Sequence, residues 1–127
     1  MKRRDFLTGS SAVLSSAALF PSWNGYSADS NIPLEIQAVT GNREEFSISR
    51  SSISELKQSL KGRVLLKSDS EYHVARLVRN RIIDKKPALI VQCVDESDIQ
   101  KAVDFARSFT MLTAVKCGGH SVSGKGT

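Results

Sequence analysis

Hydrophobic and polar positions are most regularly ordered in the C-terminal third of the chain. Residues 88–94 form a short apolar run, rich in β-branched side chains, that follows Pro87. Such a run is typical of a buried strand. Asp95 and Asp98 then have N-cap and N3 spacing, which favours a helix start because carboxylates accept the free amides there. Apolar residues recur at i, i+3, i+4 and i+7, namely Ile99, Ala102, Val103 and Ala106. This periodicity predicts a helix over residues 96–109.

A second strand is predicted over residues 111–116. Strand, helix and strand in this order make a βαβ unit, whose strands are expected to be parallel and whose crossover is expected to be right-handed. Upstream, apolar spacing over residues 53–60, followed by Gly62, predicts a short helix. Residues 69–80 predict a further helical turn. The expected fold class is therefore α+β.

Three segments are expected along the chain. Residues 1–28 are interpreted as a targeting segment, and residues 55–127 as one small globular domain. Residues 29–54 are polar and broken by Pro33 and Gly41, so we interpret them as an irregular lead-in or linker. The hydrophobic and charged fractions, 40% and 24%, are those of an ordinary globular protein.

The N-terminus has the layout of an export signal, because a basic start precedes a weakly apolar run rich in Ser and Ala. It resembles the twin-arginine signal, by which bacteria export proteins already folded. The residues that carry this resemblance are Arg3, Arg4, Asp5, Phe6 and Leu7. We predict export through the twin-arginine translocation machinery to the periplasm or the medium, with Ala28 as a candidate last residue of the signal. The run is too short and too polar for a stable membrane span.

Charge and cysteine content exclude some classes of protein. The formal net charge is +5, of which +2 lies within residues 1–28. Later basic residues are scattered among Asp and Glu without interleaved aromatics, so no nucleic-acid partner is predicted. Cys93 and Cys117 are too few for a disulfide-built scaffold and can form one bridge at most. His73 stands alone on a predicted helix and is interpreted as a surface residue.

The predicted second strand continues into residues 116–126, which we call the glycine loop. Its glycines are Gly118, Gly119, Gly124 and Gly126. Glycine lets the backbone approach a ligand closely, and successive exposed amides form a concavity that binds anions. The loop would also lie at the carboxyl end of parallel strands, where ligands of open α/β sheets usually bind. The sequence therefore predicts a phosphate-bearing ligand.

The loop and the pattern before it resemble flavoproteins of the vanillyl-alcohol oxidase and p-cresol methylhydroxylase (PCMH) family, above all its berberine bridge enzyme-like branch. The resemblance covers about residues 60–127. It rests on Pro-Ala-Leu-Ile-Val over residues 87–91, on Ala-Val and Ala-Arg in the helix, and on Gly-Gly-His-Ser-x-x-Gly over residues 118–124. It implies the N-terminal part of a PCMH-type FAD-binding domain, in an oxidase or dehydrogenase that acts on a small organic substrate.

The resemblance also implies roles for single residues. Backbone amides of the loop would wrap the FAD pyrophosphate, and His120 is the candidate for covalent attachment to the flavin C8 methyl group, as in many members. The implied cofactor-binding residues are Lys116, Cys117, Gly118, Gly119, His120, Ser121 and Gly124. Lys116 and Cys117 depart from the family, where Arg followed by Gly or Ser is common; lysine attracts phosphate as a point charge but lacks the arginine fork. The family's catalytic bases lie further along the chain, so we expect a partial domain without catalytic residues.

Other interpretations stay open. Residues 119–125 fit the first seven positions of a nucleoside-triphosphatase phosphate loop, although Gly126 stands where Ser or Thr would bind magnesium. A metal site of Cys93, Cys117 and His120, with His73 as a further candidate ligand, lacks the second ligand pair typical of zinc. If the two predicted strands pair, the cysteines could instead form a disulfide. The chain could also be a non-catalytic remnant that binds FAD weakly or not at all.

Overall fold

The computed structural model describes residues 31–127, and the predicted export signal lies outside the described residues. The elements are β1 (Glu35–Val39), β2 (Glu45–Ser49), α1 (Arg50–Ser59), β3 (Arg63–Leu66), α2 (Tyr72–Arg76), β4 (Leu89–Gln92) and α3 (Glu96–Ser108). Two antiparallel two-stranded sheets, β1–β2 and β3–β4, combine with these helices. The described chain is therefore mixed in helix and strand, as the α+β class predicts. No helix within residues 31–127 is long and apolar enough to cross a membrane.

The first sheet is a hairpin, and it corrects the interpretation of residues 29–54 as irregular. Strands β1 and β2 pair in the register Ile36 to Ile48. Along β1 burial alternates, with Ile36 and Ala38 inside and their neighbours exposed, which is the period-two pattern of a half-buried strand. The short alternation between polar residues was too weak a signal in the sequence to separate these strands from a linker.

Helix α1 begins directly after the hairpin, three residues before the predicted start. Ser49 ends β2 and is also the N-cap, because its hydroxyl accepts a hydrogen bond from the Ser52 amide at 3.3 Å. The helix buries Ile53 and Leu56 against the hairpin. The core that results consists of Ile32, Ile36, Ala38, Ile48, Ile53, Leu56, Val64 and Leu66.

Strand β4 lies where the predicted strand 88–94 places it, but its partner differs from the prediction. It pairs antiparallel with β3. Residues 112–116, predicted as its parallel neighbour, form no strand. Met111 instead makes an isolated bridge to Thr40, and the Leu112 amide donates to the Val39 carbonyl at 2.9 Å. The chain leaving α3 is thus held at the end of the hairpin, so the parallel βαβ pairing is not found among the described residues.

Helix α3 has the predicted bounds to within one residue, and Asp95 is its N-cap, accepting from the Asp98 amide at 3.0 Å. The buried face, however, is rotated from the predicted one. Ile99 and Val103 are 53% and 45% exposed. The helix packs instead through Phe105 and through Phe109 just beyond its end, on the same side as a fully buried Asp98. Hydrophobic periodicity alone does not identify the buried face of α3, because the charged residue Asp98 belongs to it.

Helix α2 is the short helical turn predicted within residues 69–80. Tyr72 is buried, and its hydroxyl donates to the Pro87 carbonyl at 2.6 Å. His73 lies on the exposed side of the helix, as predicted for a surface residue. The segment that leaves α2 runs to β4 without regular structure and contacts the glycine loop through backbone hydrogen bonding.

Candidate functional site

The glycine loop contains no helix or strand and rests on residues 75–85, which we call the supporting segment. Contacts between them are made mainly by loop carbonyls. The Gly119 carbonyl accepts from the Arg79 amide at 2.8 Å, and the Val122 carbonyl accepts from the Asn80 side-chain amide at 3.0 Å. The Lys85 amine donates to the Gly124 carbonyl at 2.9 Å. Donors of the supporting segment thus hold the loop along its length.

Amides of the loop behave differently from its carbonyls. Within the described chain, no backbone amide between Thr113 and Thr127 donates a hydrogen bond to protein, although several carbonyls in this stretch accept one. Backbone amides obtain partners in nearly all folded proteins, from protein, water or ligand. The loop amides are therefore left for water or a ligand to satisfy.

Two glycines of the loop have backbone conformations that favour glycine. Gly119 and Gly124 have φ angles of 71° and 67°, in the left-handed region that other residues rarely adopt. Gly124 is also buried, and a Cβ there would lie 2.6 Å from the Ile83 Cδ1 atom. Gly118 differs, since a Cβ would meet only the ring of His120, 3.7 Å away. A side chain at Gly118 would thus make only ordinary contact with its surroundings, while Gly119 and Gly124 shape the loop.

Lys116 is placed differently from the role that the resemblance implies. Its amine donates to the Ala75 carbonyl at 2.6 Å and to the Leu77 carbonyl at 2.7 Å. These carbonyls belong to the C-terminal end of α2, where cations are favoured by the free carbonyls. Lys116 therefore ties the start of the loop to α2, and in this conformation its amine does not face outward as a phosphate ligand.

The remaining predicted site residues lie on or near the surface. Cys117 and His120 are exposed, and Ser121 is half-buried. Both cysteines are free thiols, so the Cys93–Cys117 disulfide is not formed in this structure. Burial and the nearby Asp98 carboxylate raise the pKa of the Cys93 thiol, which keeps it protonated and poorly reactive. The seven predicted residues thus occur in one continuous loop, with His120 accessible from solvent.

Positive charge predominates in the supporting segment. Arg76 is bound by the Asp84 carboxylate and donates to the Lys85 carbonyl at 3.2 Å. The hydrogen bond from Arg76 lowers the pKa of Asp84, so that carboxylate stays ionised and neutralises the arginine. Arg79 and Arg81 are exposed on the same segment. An anion at the glycine loop would therefore meet a positive surrounding potential.

Cavities elsewhere do not coincide with this loop. An open cavity of about 550 Å³ lies beside β3, and another of about 510 Å³ lies between the hairpin turn and α3. Neither is lined by a residue of the glycine loop. Among residues 31–127, no group of three or more His, Cys, Asp and Glu side chains is arranged to hold a metal ion.

Sequence reasoning missed the residues that support the loop. Asn80, Ile83 and Lys85 contact it over a separation of about forty residues along the chain. They lie in an irregular segment without periodicity, so no local pattern marks them. The one available signal was Asn80, a residue that often stabilises turns through its side chain. No protein-family model and no curated protein matches this chain.

Proposed function

We propose that residues 31–127 belong to the FAD-binding part of an exported, flavin-dependent oxidoreductase of the PCMH type, and that the glycine loop binds the FAD pyrophosphate. One observation carries the proposal. The loop uses its carbonyls to contact the protein and leaves its amides without protein partners. A diphosphate is acceptor-only and anionic, so it satisfies several such donors at once.

Other features of the site support a diphosphate ligand. Gly118 has only the His120 ring near the position of a Cβ, and its lack of a side chain lets a ligand approach the backbone. Arg79 and Arg81 add positive charge nearby, which favours an anion over a neutral ligand. A loop of this kind binds phosphate through geometry and amide dipoles, so it does not need Lys116 as a direct ligand.

His120 is the proposed point of covalent attachment. Its side chain is exposed on the loop, so an isoalloxazine ring could approach it from solvent. Forming the bond replaces a methyl C–H and an imidazole N–H by a C–N bond. This exchange is a two-electron oxidation, for which the bound flavin and an external electron acceptor would supply the redox chemistry. The bound flavin would supply hydride acceptance from a small organic substrate, and this chain would bind and orient it.

The complete domain is proposed to contain the parallel βαβ unit. Within the described chain β4 pairs along one edge only, with β3. Residues 112–116 form no strand and contact β1 only through the Leu112 amide, and Leu112 and Val115 are 62% and 80% exposed. An open strand edge and an unpaired apolar segment joined by one helix favour a right-handed crossover that brings them together.

Export by the twin-arginine machinery is proposed from the N-terminal residues and fits a flavoprotein, since this route carries proteins that fold around a cofactor before export. The mature protein would then act in the periplasm or the medium. A fusion of residues 1–30 to a reporter that requires folded export tests this directly. Export should be lost in an Arg3→Lys, Arg4→Lys double variant, and export that persists would contradict the twin-arginine assignment.

The decisive experiment is a search for covalent flavin. The chain is expressed with any sequence that its reading frame encodes after Thr127, then denatured and digested with trypsin. Cleavage after Lys116 and Lys125 releases residues 117–125, which contain His120. We expect this peptide to carry the mass of FAD in the wild type and in a His73→Ala control, and to lack it in His120→Ala.

Two other results would change the proposal. Dissociable FAD in the denatured supernatant, with an unmodified peptide, would remove the tether and leave FAD binding. A protein that neither carries flavin nor binds added FAD would contradict the FAD proposal and favour a non-catalytic remnant.

A further inference from the structure

Two side chains of the supporting segment contact the glycine loop from beneath. The Asn80 side-chain amide donates to the Val122 carbonyl at 3.0 Å, while its oxygen accepts from the Ile82 amide at 3.3 Å. The Lys85 amine donates to the Gly124 and Thr127 carbonyls, each at 2.9 Å. Asn80 thus links its own segment to the loop, and Lys85 links two points of the loop to each other. Both residues lie about forty positions before the loop residues that they contact.

These contacts select which side of the loop backbone faces outward. A peptide unit has its carbonyl and its amide on opposite sides. When the carbonyls of Val122 and Gly124 point to donors of the supporting segment, the amides in the same two peptide units, those of Ser123 and Lys125, point to the opposite side. The same two donors hold a stretch that contains Gly124 with its φ of 67°. Glycines are conformationally permissive, so without such contacts the loop would sample many shapes.

We infer that Asn80 and Lys85 are positioning residues that hold the glycine loop with its amides outward, ready for the diphosphate; this inference rests on the proposed function for its ligand. Neither residue needs to touch the flavin. Lys85 also brings a positive charge beneath Gly124, which adds to the anion-attracting potential of the loop. The site is therefore built from two segments, of which only the glycine loop is visible as a motif.

The test combines loop order with flavin affinity in a His120→Ala background, where the flavin stays dissociable. Lys85→Met removes the donor at nearly constant size, Asn80→Asp replaces the amide donor by a repelling oxygen, and Lys85→Arg restores a donor. Lys86→Met is the matched control, since Lys86 lies 3.9 Å from Asp84 and does not contact the loop. The heteronuclear ¹⁵N NOE of Gly119 and Gly124 reports loop order without flavin, and flavin fluorescence reports the Kd for FAD.

We expect Lys85→Met and Asn80→Asp to lower both NOE values and to raise the Kd by about tenfold, because the first removes two charge-assisted hydrogen bonds and the second removes one neutral bond and adds repulsion. The thermal midpoint should stay near that of Lys86→Met, because Lys85 is exposed, Asn80 is only half-buried and neither belongs to the hydrophobic core. Lys85→Arg should recover most of the affinity. A loop that remains as ordered in both variants as in the control overturns the inference. If either Lys85→Met or Asn80→Asp folds poorly, the other variant alone provides the test.

The design separates this inference from the proposed function. If the wild type binds no FAD and the loop still loosens in both variants, the positioning role stands and the FAD proposal fails. If FAD binds with unchanged affinity to both variants, the positioning role is wrong and the FAD proposal stands.

Discussion

The carboxylate of Asp98 accepts a hydrogen bond from the backbone amide of Gly62 at 2.8 Å, across 36 positions of sequence. The same side chain accepts from the Lys61 amide at 2.9 Å and from the Val94 amide at 3.1 Å. Asp98 is fully buried, and a buried carboxylate is tolerated when its acceptors are satisfied in this way. It therefore joins the turn before β3, the end of β4 and the first turn of α3.

Replacing Asp98 by Asn should destabilise the fold in a pH-dependent manner. Hydrogen bonds from backbone amides, that of Lys61 foremost, lower the pKa of Asp98 below its ordinary value of 3.8. The ionised carboxylate therefore stabilises the fold at neutral pH, and this contribution is lost as the pH falls from the ordinary pKa towards the lowered one. Thermal unfolding at pH 7 should show a lower midpoint for Asp98→Asn than for wild type, and the difference should shrink below about pH 4. Asp104→Asn, on the exposed face of α3, is the control; a pH-independent difference would contradict the account.

Replacing Gly62 by Ala tests the turn that Asp98 binds. A Cβ at this position would overlap the Gln92 carbonyl oxygen, which is backbone and cannot rotate away. We expect a loss of about 1–3 kcal/mol in the free energy of unfolding, as for overpacking elsewhere, measured by urea denaturation. Gly41→Ala is the matched control because nothing lies within 4 Å of its added Cβ. Equal stability of the two variants would show that β3 and β4 separate more easily than the structure indicates.

The buried hydroxyl of Tyr72 should contribute about 1 kcal/mol through its hydrogen bond to Pro87. Tyr72→Phe keeps the ring and removes that bond, so its unfolding free energy at pH 7 should be lower by this amount. Burial also raises the pKa of the Tyr72 phenol. The contribution of the Tyr72 hydroxyl to the free energy of unfolding is therefore fully present below the ordinary pKa of 10.0. It is lost as the pH rises through the raised pKa. The Phe variant lacks this alkaline component, so the two proteins should converge in stability at high pH; parallel curves would contradict the assignment.

Gly124→Ala should disturb the glycine loop more than the rest of the domain. The φ of 67° is unfavourable for alanine by about 1–2 kcal/mol, and its methyl group would press on Ile83. We expect large amide chemical-shift changes over residues 117–126 and small ones in the core. Gly118→Ala, whose Cβ would make only ordinary contact with the His120 ring at 3.7 Å, should leave the ligand-free loop unchanged. Similar spectra for both variants would mean that Ile83 does not fix the loop.

Features set by neighbouring residues could be predicted from sequence. Helix α3 follows from its periodicity and from Asp95 as N-cap, and β4 follows from its β-branched run, because both signals lie inside the element. The partner of β4 did not follow. Pairing depends on which distant segment reaches the strand edge, and Met111 is held at the hairpin by Thr40.

In the candidate site, too, the residues of the local motif could be predicted from sequence, and the distant residues that contact it could not. The sequence marks the four loop glycines together as a stretch of permissive backbone, but only the structure shows that Gly119 and Gly124 are the two with positive φ. The supporting contacts come from Asn80 and Lys85, whose polar side chains look like ordinary surface residues in the sequence. Lys116 illustrates the limit most directly, since a lysine before a phosphate loop suggests a ligand, while its amine is occupied by the end of α2.

Ile32 is fully buried in the core formed by the hairpin and α1. A protease that separates the folded domain from an export signal must therefore cut before this residue, or the mature protein loses part of its core. Cleavage after Ala28 would leave three residues ahead of Ile32, a short N-terminal overhang. If the proposed export signal is removed, the packing of Ile32 thus limits how far towards the C-terminus the cleavage site can lie.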